Sequence, residues 1–494
     1  MNIHSLLNNI DVDASSLDIT ITGISNNSEK VEPGNLFVAI SGYASDGHKY
    51  ILSAIEAGAK AIIGEQDVQA LSVPYFKVAN SRIALAQLAK TFYNSQSRPK
   101  TIIGITGTNG KTTTSFMIKH ILEKSGRSCA LFGSVHNIVN GIMISGTTKN
   151  TTIDALELQK QLAKSKDEFV IIEVTSHALT QHRVGGIDFD ICLFTNLSQD
   201  HLDYHKTMES YFSAKETLFD QLSKNGIAII NTFNKWGAKL EARLKKRKLH
   251  TIYTMGDSST SFSIKDIQYK DKMSLIVQDQ NHHYQLTLSF LGEHNIYNAV
   301  MAFLTAKAIN ITPEDALQAL ETFSGVPGRF EVVQHPIGAK FIIDYAHTED
   351  AFLHCFHTAN AMGAKRIIHI FGFRGGRDIG KRQAMIDVSK SFSDVIILTF
   401  DDLNNLSYDE MLQTLYSFDI GEQGLVIPDR TEAIGHAWNM IEKGDWVFIT
   451  GKGHERYTQS FHSDTFSDKD TVEQLLHNPL SYTKEHISIE LPFS

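Results

Sequence analysis

Gly104-Ile-Thr-Gly107-Thr-Asn-Gly110-Lys111-Thr112-Thr113 decides how this chain is read. The apolar run Thr101 to Ile105 leads into it and predicts a buried strand. Thr113 to Lys124 follows, with Phe116, Met117, Ile121 and Leu122 at helical spacing. Strand, glycine-rich turn, Lys-Thr and helix is the order of a phosphate-binding loop. Glycines let backbone N–H groups crowd round an anion, and the helix N-terminus adds the positive end of its dipole. Lys111 offers a point charge to the outer phosphates, and Thr112 or Thr113 a hydroxyl to Mg²⁺. The spacing departs from G-x-x-x-x-G-K-[ST], because Ile105 stands at the first glycine position and Gly104 lies one residue early. The expectation is a nucleoside triphosphate held by Gly107, Thr108, Asn109, Gly110, Lys111, Thr112 and Thr113.

The rest of the composition narrows the class. A chain of 494 residues suggests about three domains. A hydrophobic content of 42% supplies ample core. The net charge of −9 argues against a general nucleic-acid or anionic-membrane surface, so an anionic substrate must be held by local cations and backbone amides. Cys129, Cys192 and Cys355 lie far apart without metal spacing and read as buried free thiols of a reducing compartment. The first residues lack a basic start and a long apolar run, and no window reaches membrane-span length. A cytoplasmic protein is expected, acting as a monomer without nucleic acid or membrane.

Along the chain the pattern is α/β throughout, in units expected at 1–98, 99–328 and 329–494. In the first, Leu17-Asp-Ile-Thr-Ile, Asn35 to Ile40 and Ala59 to Gly64 read as strands and Tyr50 to Ala59 as a helix. The polar stretch Asn94 to Pro99 reads as a linker. In the second, Phe169-Val-Ile-Ile-Glu-Val, Ile191-Cys-Leu-Phe-Thr and Ile227-Ala-Ile-Ile are continuous apolar runs that suit a parallel sheet buried on both faces. Residues 262–290 change to alternation, as in a small antiparallel insertion. Gly325-Val-Pro-Gly328 marks the second boundary. The last unit repeats βα logic through Phe341, Arg366, Val395 and Trp446, and the carboxyl ends of such strands are where ligands bind.

Several further motifs occur in order: Glu173-Val-Thr-Ser-His177, Asn196-Leu-Ser-Gln-Asp-His201-Leu-Asp-Tyr-His205, Gly292-Glu-His-Asn295, Pro327-Gly-Arg329, Asp344-Tyr-Ala-His347-Thr and Gly451-Lys-Gly-His-Glu455. With the loop, this set resembles the MurE-type ligases of peptidoglycan precursor synthesis over nearly the whole chain. The resemblance implies three α/β domains: a uridine-binding N-terminal domain, a central ATPase domain with a P-loop-like parallel sheet, and a C-terminal Rossmann-like domain. It implies an ATP-dependent acid–amino-acid ligase. Such an enzyme adds the third amino acid to UDP-N-acetylmuramoyl-L-alanyl-D-glutamate through an acyl phosphate. Lys111, Lys215 and His201 are the catalytic positions it implies. Thr112, Glu173, His201 and a carbamylated Lys215 would hold Mg²⁺. Asn295, Arg329 and Asp344 would contact ATP, with His347 closing over it. Asn150, Thr151, Thr152, Thr175, Gln181 and Arg183 would grip the muramoyl dipeptide, and Ser28 the uridine end. Read without the resemblance, Lys215 is a solvated helical lysine, His201 a capping or core histidine, and Asn26-Asn27-Ser28 a plain turn.

The departures from the family pattern are Ile153 for a proline, Asn27 and Glu29 for an aspartate and an arginine, and Thr175 for a serine. Arg377 aligns with the arginine that grips the acceptor carboxylate, while Arg374 is an extra cation without a family counterpart. For the acceptor, Asp401, Asp402, Asn404, Gly451 and Glu455 are the expected contacts. Asp401-Asp402-Leu403-Asn404 is closer to the segment of lysine-adding enzymes than to the Asp-Asn-Pro-Arg of diaminopimelate-adding ones. Glu455 and Arg374 point the other way. The reading leans to L-lysine, with meso-diaminopimelate as the alternative. A MurF-like or folylpolyglutamate synthase-like ligase, or a P-loop protein that only binds nucleotide, are the remaining classes.

Overall fold

A computed structural model describes residues 1–12, 17–42, 45–95, 100–144, 150–249, 251–256, 260–270, 272–279, 281–422 and 424–477. Residues 96–99 of the expected linker and the segment 478–494 lie outside the described residues. The described residues build three sheets in succession.

The first has four parallel strands, Gly23–Ser25, Asn35–Val38, Ala61–Gly64 and Tyr75–Lys77, in sequence order. The expected strand at Leu17–Ile21 is not there. Only Thr20 forms a bridge, to Asn2, because Asn2 caps the helix Ile3–Leu7 and leaves no extended partner beyond it. The helix expected at Tyr50–Ala59 is a 3₁₀ turn, Gly47–Tyr50, running into Ile51–Glu56. This unit docks through helix Ser81–Tyr93 onto helix Ala155–Lys164, where Ser95 and Gln159 hydrogen-bond.

The second sheet has eleven strands. Its centre is parallel, in the order Thr251–Gly256, Leu222–Asn231, Phe189–Phe194, Thr101–Thr106, Phe169–Glu173, Cys129–Phe132. Ile103, Ile171, Leu193 and Ile229 are fully or almost fully shielded, as their apolar runs require. The strand that carries the glycine-rich loop is therefore flanked by the two strands that lead into Glu173 and into Asn196–His201. Helix Lys111–Lys124 leaves the loop and packs against helix Glu293–Ala308. The alternating stretch is antiparallel, as read, but it is no separate insertion. Phe262–Tyr269 pairs with the end of Thr251–Gly256, and Met273–Gln278 and His283–Leu288 extend the same sheet. Met273, Leu275 and Val277 turn inward from it.

The third sheet has six strands, ordered Glu331–Gln334, Lys340–Asp344, Asp445–Thr450, Arg366–Phe371, Val395–Leu398, Gly424–Val426. The first is antiparallel and the others are parallel. The carboxyl ends of its strands point at the glycine-rich loop, and Asn109 Nδ2 donates to Thr348 Oγ1 at 3.2 Å across that junction. The three cysteines are buried and unpaired, as expected. Among the described residues no helix is long and apolar enough to cross a membrane.

Candidate active site

The loop lies where the second and third sheets meet, over a cavity of about 710 Å³. Gly107 has φ of 149°, and a Cβ there would lie 1.9 Å from Thr195 Oγ1, so only glycine lets the loop turn this closely against its neighbour. Lys111 folds back to donate to the carbonyls of Gly107 and Thr108, each at 2.9 Å. Burial pushes its ammonium down to about 8, against the pull of Glu173 and Asp200. Thr112 Oγ1 donates to the Glu173 carboxylate at 2.8 Å, and Ser115 and Ser134 donate to the same group at 3.0 Å. Glu173 is fully buried at the end of its strand, with its oxygens gathered against the first turn of the loop helix.

Lys215 is not the solvated lysine that its helix suggests. It is 1% exposed, and its amine donates to Gly107 O at 2.8 Å while lying 4.6 Å over the Tyr211 ring. Burial, together with the nearby charge of Lys111, holds that amine well below the ordinary lysine range. His201 has φ of 55° at the start of helix Leu202–His205 and faces the cavity. Burial lowers it to about 3, so it is a neutral imidazole at physiological pH. Its ring lies edge-on to His177, 4.8 Å between centroids. Among the described residues no cluster of three or more His, Cys, Asp or Glu side chains is placed to hold a metal. Thr112 and Glu173 are joined directly, while His201 lines the same cavity without a bond to either.

Asp200 was given no role by sequence reasoning, yet it organises the junction. Its buried carboxylate meets Lys381 at 2.9 Å and both His347 and His201 at 3.3 Å. Burial opposes its ionisation, but the His347 hydrogen bond and the charges of Lys381 and the histidines hold it well below the usual carboxylate range. Lys381 and His347 belong to the third sheet's unit, so Asp200 ties the two units together. The only hint in the sequence was a carboxylate next to His201 in a histidine-rich motif.

Other expected residues divide clearly. Thr108, Asn109, Asn150, Thr151, Thr175, Arg183, Arg329, Asp344, Arg377, Asp401 and Glu455 all line the cavity. Arg183 donates to Thr152 O at 2.8 Å and to Gln181 Oε1 at 2.8 Å. Thr152 and Gln181 therefore sit behind the lining rather than in it, and Thr152 Oγ1 donates to Glu173 O. Asn295 is fully buried, its amide given to Leu291 O at 2.7 Å, and Asn298, one turn on, faces the loop instead. Ser28 opens the 3₁₀ turn Ser28–Lys30 in the first unit and is not part of this cavity. Burial raises the Asp344 carboxyl, although Phe330 N and Ala346 N donate to it and Arg329 lies near. The Arg329 guanidinium stacks 4.2 Å over Tyr345, and its Nη1 has no hydrogen-bond partner among the described residues. An orphaned guanidinium nitrogen beside a glycine-rich loop is what an anionic ligand would satisfy. Gly328, just before it, touches the Gly453–His454 backbone so closely that a Cβ would come within 2.1 Å of His454 N.

Three family descriptions match in succession: the Mur ligase family catalytic domain over 20–93, the Mur ligase middle domain over 105–306, and the Mur ligase glutamate ligase domain over 328–453. A UDP-N-acetylmuramoyl-L-alanyl-D-glutamate--2,6-diaminopimelate ligase of Parabacteroides distasonis is 36% identical over 454 residues, covering 90% of this chain and 91% of the relative. The chain belongs to the Mur ligase family. Within that family it is of the MurE type and is an ATP-dependent amide ligase. A ligase of the same description from Listeria monocytogenes is 36% identical over 454 residues, with 89% and 90% of the two chains covered. A solved structure of a diaminopimelate ligase of this description superposes with a TM-score of 0.68 and 26% identity, covering 97% of this Mur ligase and 99% of that chain.

Proposed function

We propose that this Mur ligase activates the D-glutamyl carboxylate of UDP-N-acetylmuramoyl-L-alanyl-D-glutamate with ATP and joins it to the amine of a third amino acid, L-lysine or meso-diaminopimelate. The observation that carries this is one cavity with a phosphate-binding loop on one wall and an arginine-rich, carboxylate-rich acceptor wall opposite. The substrate carboxylate attacks the γ-phosphorus, ADP leaves, and the acceptor amine displaces phosphate from the acyl carbon. Lys111 and the loop amides neutralise charge on the transferring phosphoryl group, and Arg329 offers its unpaired Nη1 to the nucleotide. Neutral His201 faces the same space. Arg183, held by Gln181 and Thr152, is set to pair with a carboxylate of the dipeptide. The Asp200 bridge keeps the third unit closed over the loop, which excludes the water that would hydrolyse an acyl phosphate.

The hard oxygens of Thr112 and Glu173 suit Mg²⁺, with His201 and a carbamylated Lys215 completing the set that the resemblance implies. When bound, such an ion would neutralise phosphate charge. Lys215 is proposed to be carbamylated. Its buried, easily deprotonated amine is the form that adds CO₂, and the product carboxylate would suit a cation beside the loop. The function is tested by phosphate release. Release should require ATP, the UDP-dipeptide and an amino acid together. Release from ATP alone would instead mark a nucleotide-binding protein that ligates nothing.

A further inference from the structure

The acceptor wall contains Arg374, a cation to which the family resemblance gives no role, in the loop after strand Arg366–Phe371. Its guanidinium pairs with Glu455, lies 3.4 Å from Asp401 and 4.0 Å from Asp402, and donates to the Tyr345 hydroxyl at 3.4 Å. Deeper in the wall Lys452, 2% exposed, meets Asp402 at 2.6 Å and Asp401 at 3.6 Å, so Arg374 is the second cation beside these two carboxylates. Arg374 and Glu455 are 22% and 31% exposed and face the cavity. They are the pair that a ligand can reach. Asn404 is not among the residues that line the cavity. Its amide is committed to Gly375 O at 2.8 Å, and Gly375 N donates to Asp402 O at 2.9 Å. The segment 401–404 is thus the support on which the Arg374 loop rests.

We propose that Arg374 sets acceptor specificity: it takes the distal carboxylate of a diamino dicarboxylic acid while Glu455 takes the distal ammonium. This rests on the ligase reading above. A lone ammonium arriving at Glu455, as lysine would present, meets a guanidinium already bonded to that carboxylate, and the two cations repel. An ammonium that carries its own carboxylate brings the counter-charge for Arg374 with it. The Arg374–Glu455 pair then exchanges one internal salt bridge for two across the interface, each with a fixed, charge-assisted geometry. On this proposal the acceptor is meso-diaminopimelate rather than the L-lysine expected from Asn404.

The test uses the full chain with ATP, the UDP-dipeptide and either meso-diaminopimelate or L-lysine, which differ by one carboxylate. The wild type should favour meso-diaminopimelate in kcat/KM by roughly 10- to 100-fold, the worth of a charged hydrogen bond. In Arg374→Ala that ratio should collapse toward one, mainly through the acceptor KM, with the KM for ATP unchanged. Arg374→Gln removes the charge while keeping most of the side chain, and it serves if the alanine variant fails to fold. A wild type that prefers lysine, or a charge-free variant that keeps the wild-type ratio, overturns the role of Arg374 and leaves the ligase reading standing. A wild type that ligates neither acid overturns the ligase reading, and this inference with it.

Discussion

Replacing Lys111 with methionine should separate what this residue does for catalysis from what it costs the fold. Its ammonium is pushed from an ordinary 10.5 down to about 8. In the unfolded chain the group keeps its proton to higher pH than in the folded one. The burden on stability is therefore full below the folded value and fades as pH approaches the unfolded one. The shift corresponds to roughly 3 kcal/mol of destabilisation at pH 7 and about 1.4 kcal/mol near pH 9.5. Methionine removes that burden but forfeits the hydrogen bonds to Gly107 O and Thr108 O, at about 1 kcal/mol each whatever the pH. Lys111→Met should accordingly unfold at a higher temperature than the wild type near neutrality and lose that advantage in alkali. The swing between the two conditions is about 2 kcal/mol, or roughly 4–8 °C in Tm for a unit of this size. Ligation should meanwhile be abolished at both pH values. Calorimetric or fluorescence melting at pH 7 and 9.5, beside a phosphate-release assay, reads all of this. A stability difference that does not change with pH would show that Lys111 is not held against its own charge. Near-normal turnover would remove it from the phosphate site.

Two more outcomes follow from the same geometry. Lys215→Ala should be nearly inactive and partly restored by short-chain carboxylic acids that can occupy the vacated space beside Gly107 O; full activity without additives would end the carbamate proposal. Asp200→Asn should lower kcat at least about tenfold and reduce Tm, because Lys381 and His347 lose a buried counter-charge, a change of roughly 1–3 kcal/mol or more. Unchanged turnover with a lowered Tm would make Asp200 purely structural.

The glycine-rich loop was legible because everything that defines it is local: an apolar strand, glycines, Lys111-Thr112, then a helical period. The parallel strands were legible for the same reason. What escaped the sequence depends on contacts between distant residues. Lys215 looked solvated because its helix says nothing of Gly107, whose carbonyl it meets 108 residues away along the chain. The partner of the Asn404 amide, Gly375 O, lies 29 residues earlier on another loop, and nothing in Asp401–Asn404 announces it. Asp200 acquires its role only once a second unit supplies Lys381 and His347. Leu17–Ile21 has strand composition, but its neighbour is extended only over Met1 and Asn2 before the helix Ile3–Leu7 begins. A strand needs a partner that its own residues cannot specify.

The close seat of Gly328 on Gly453 and His454 carries a mechanical consequence. Gly328 stands at the passage from the second unit to the third, and Glu455 follows His454 directly. The link into the third unit and the residue that precedes Glu455 are in direct backbone contact, so a shift of the acceptor wall at Glu455 is felt where the two units join. A fluorophore pair spanning the two units should report acceptor addition as readily as a kinetic assay does.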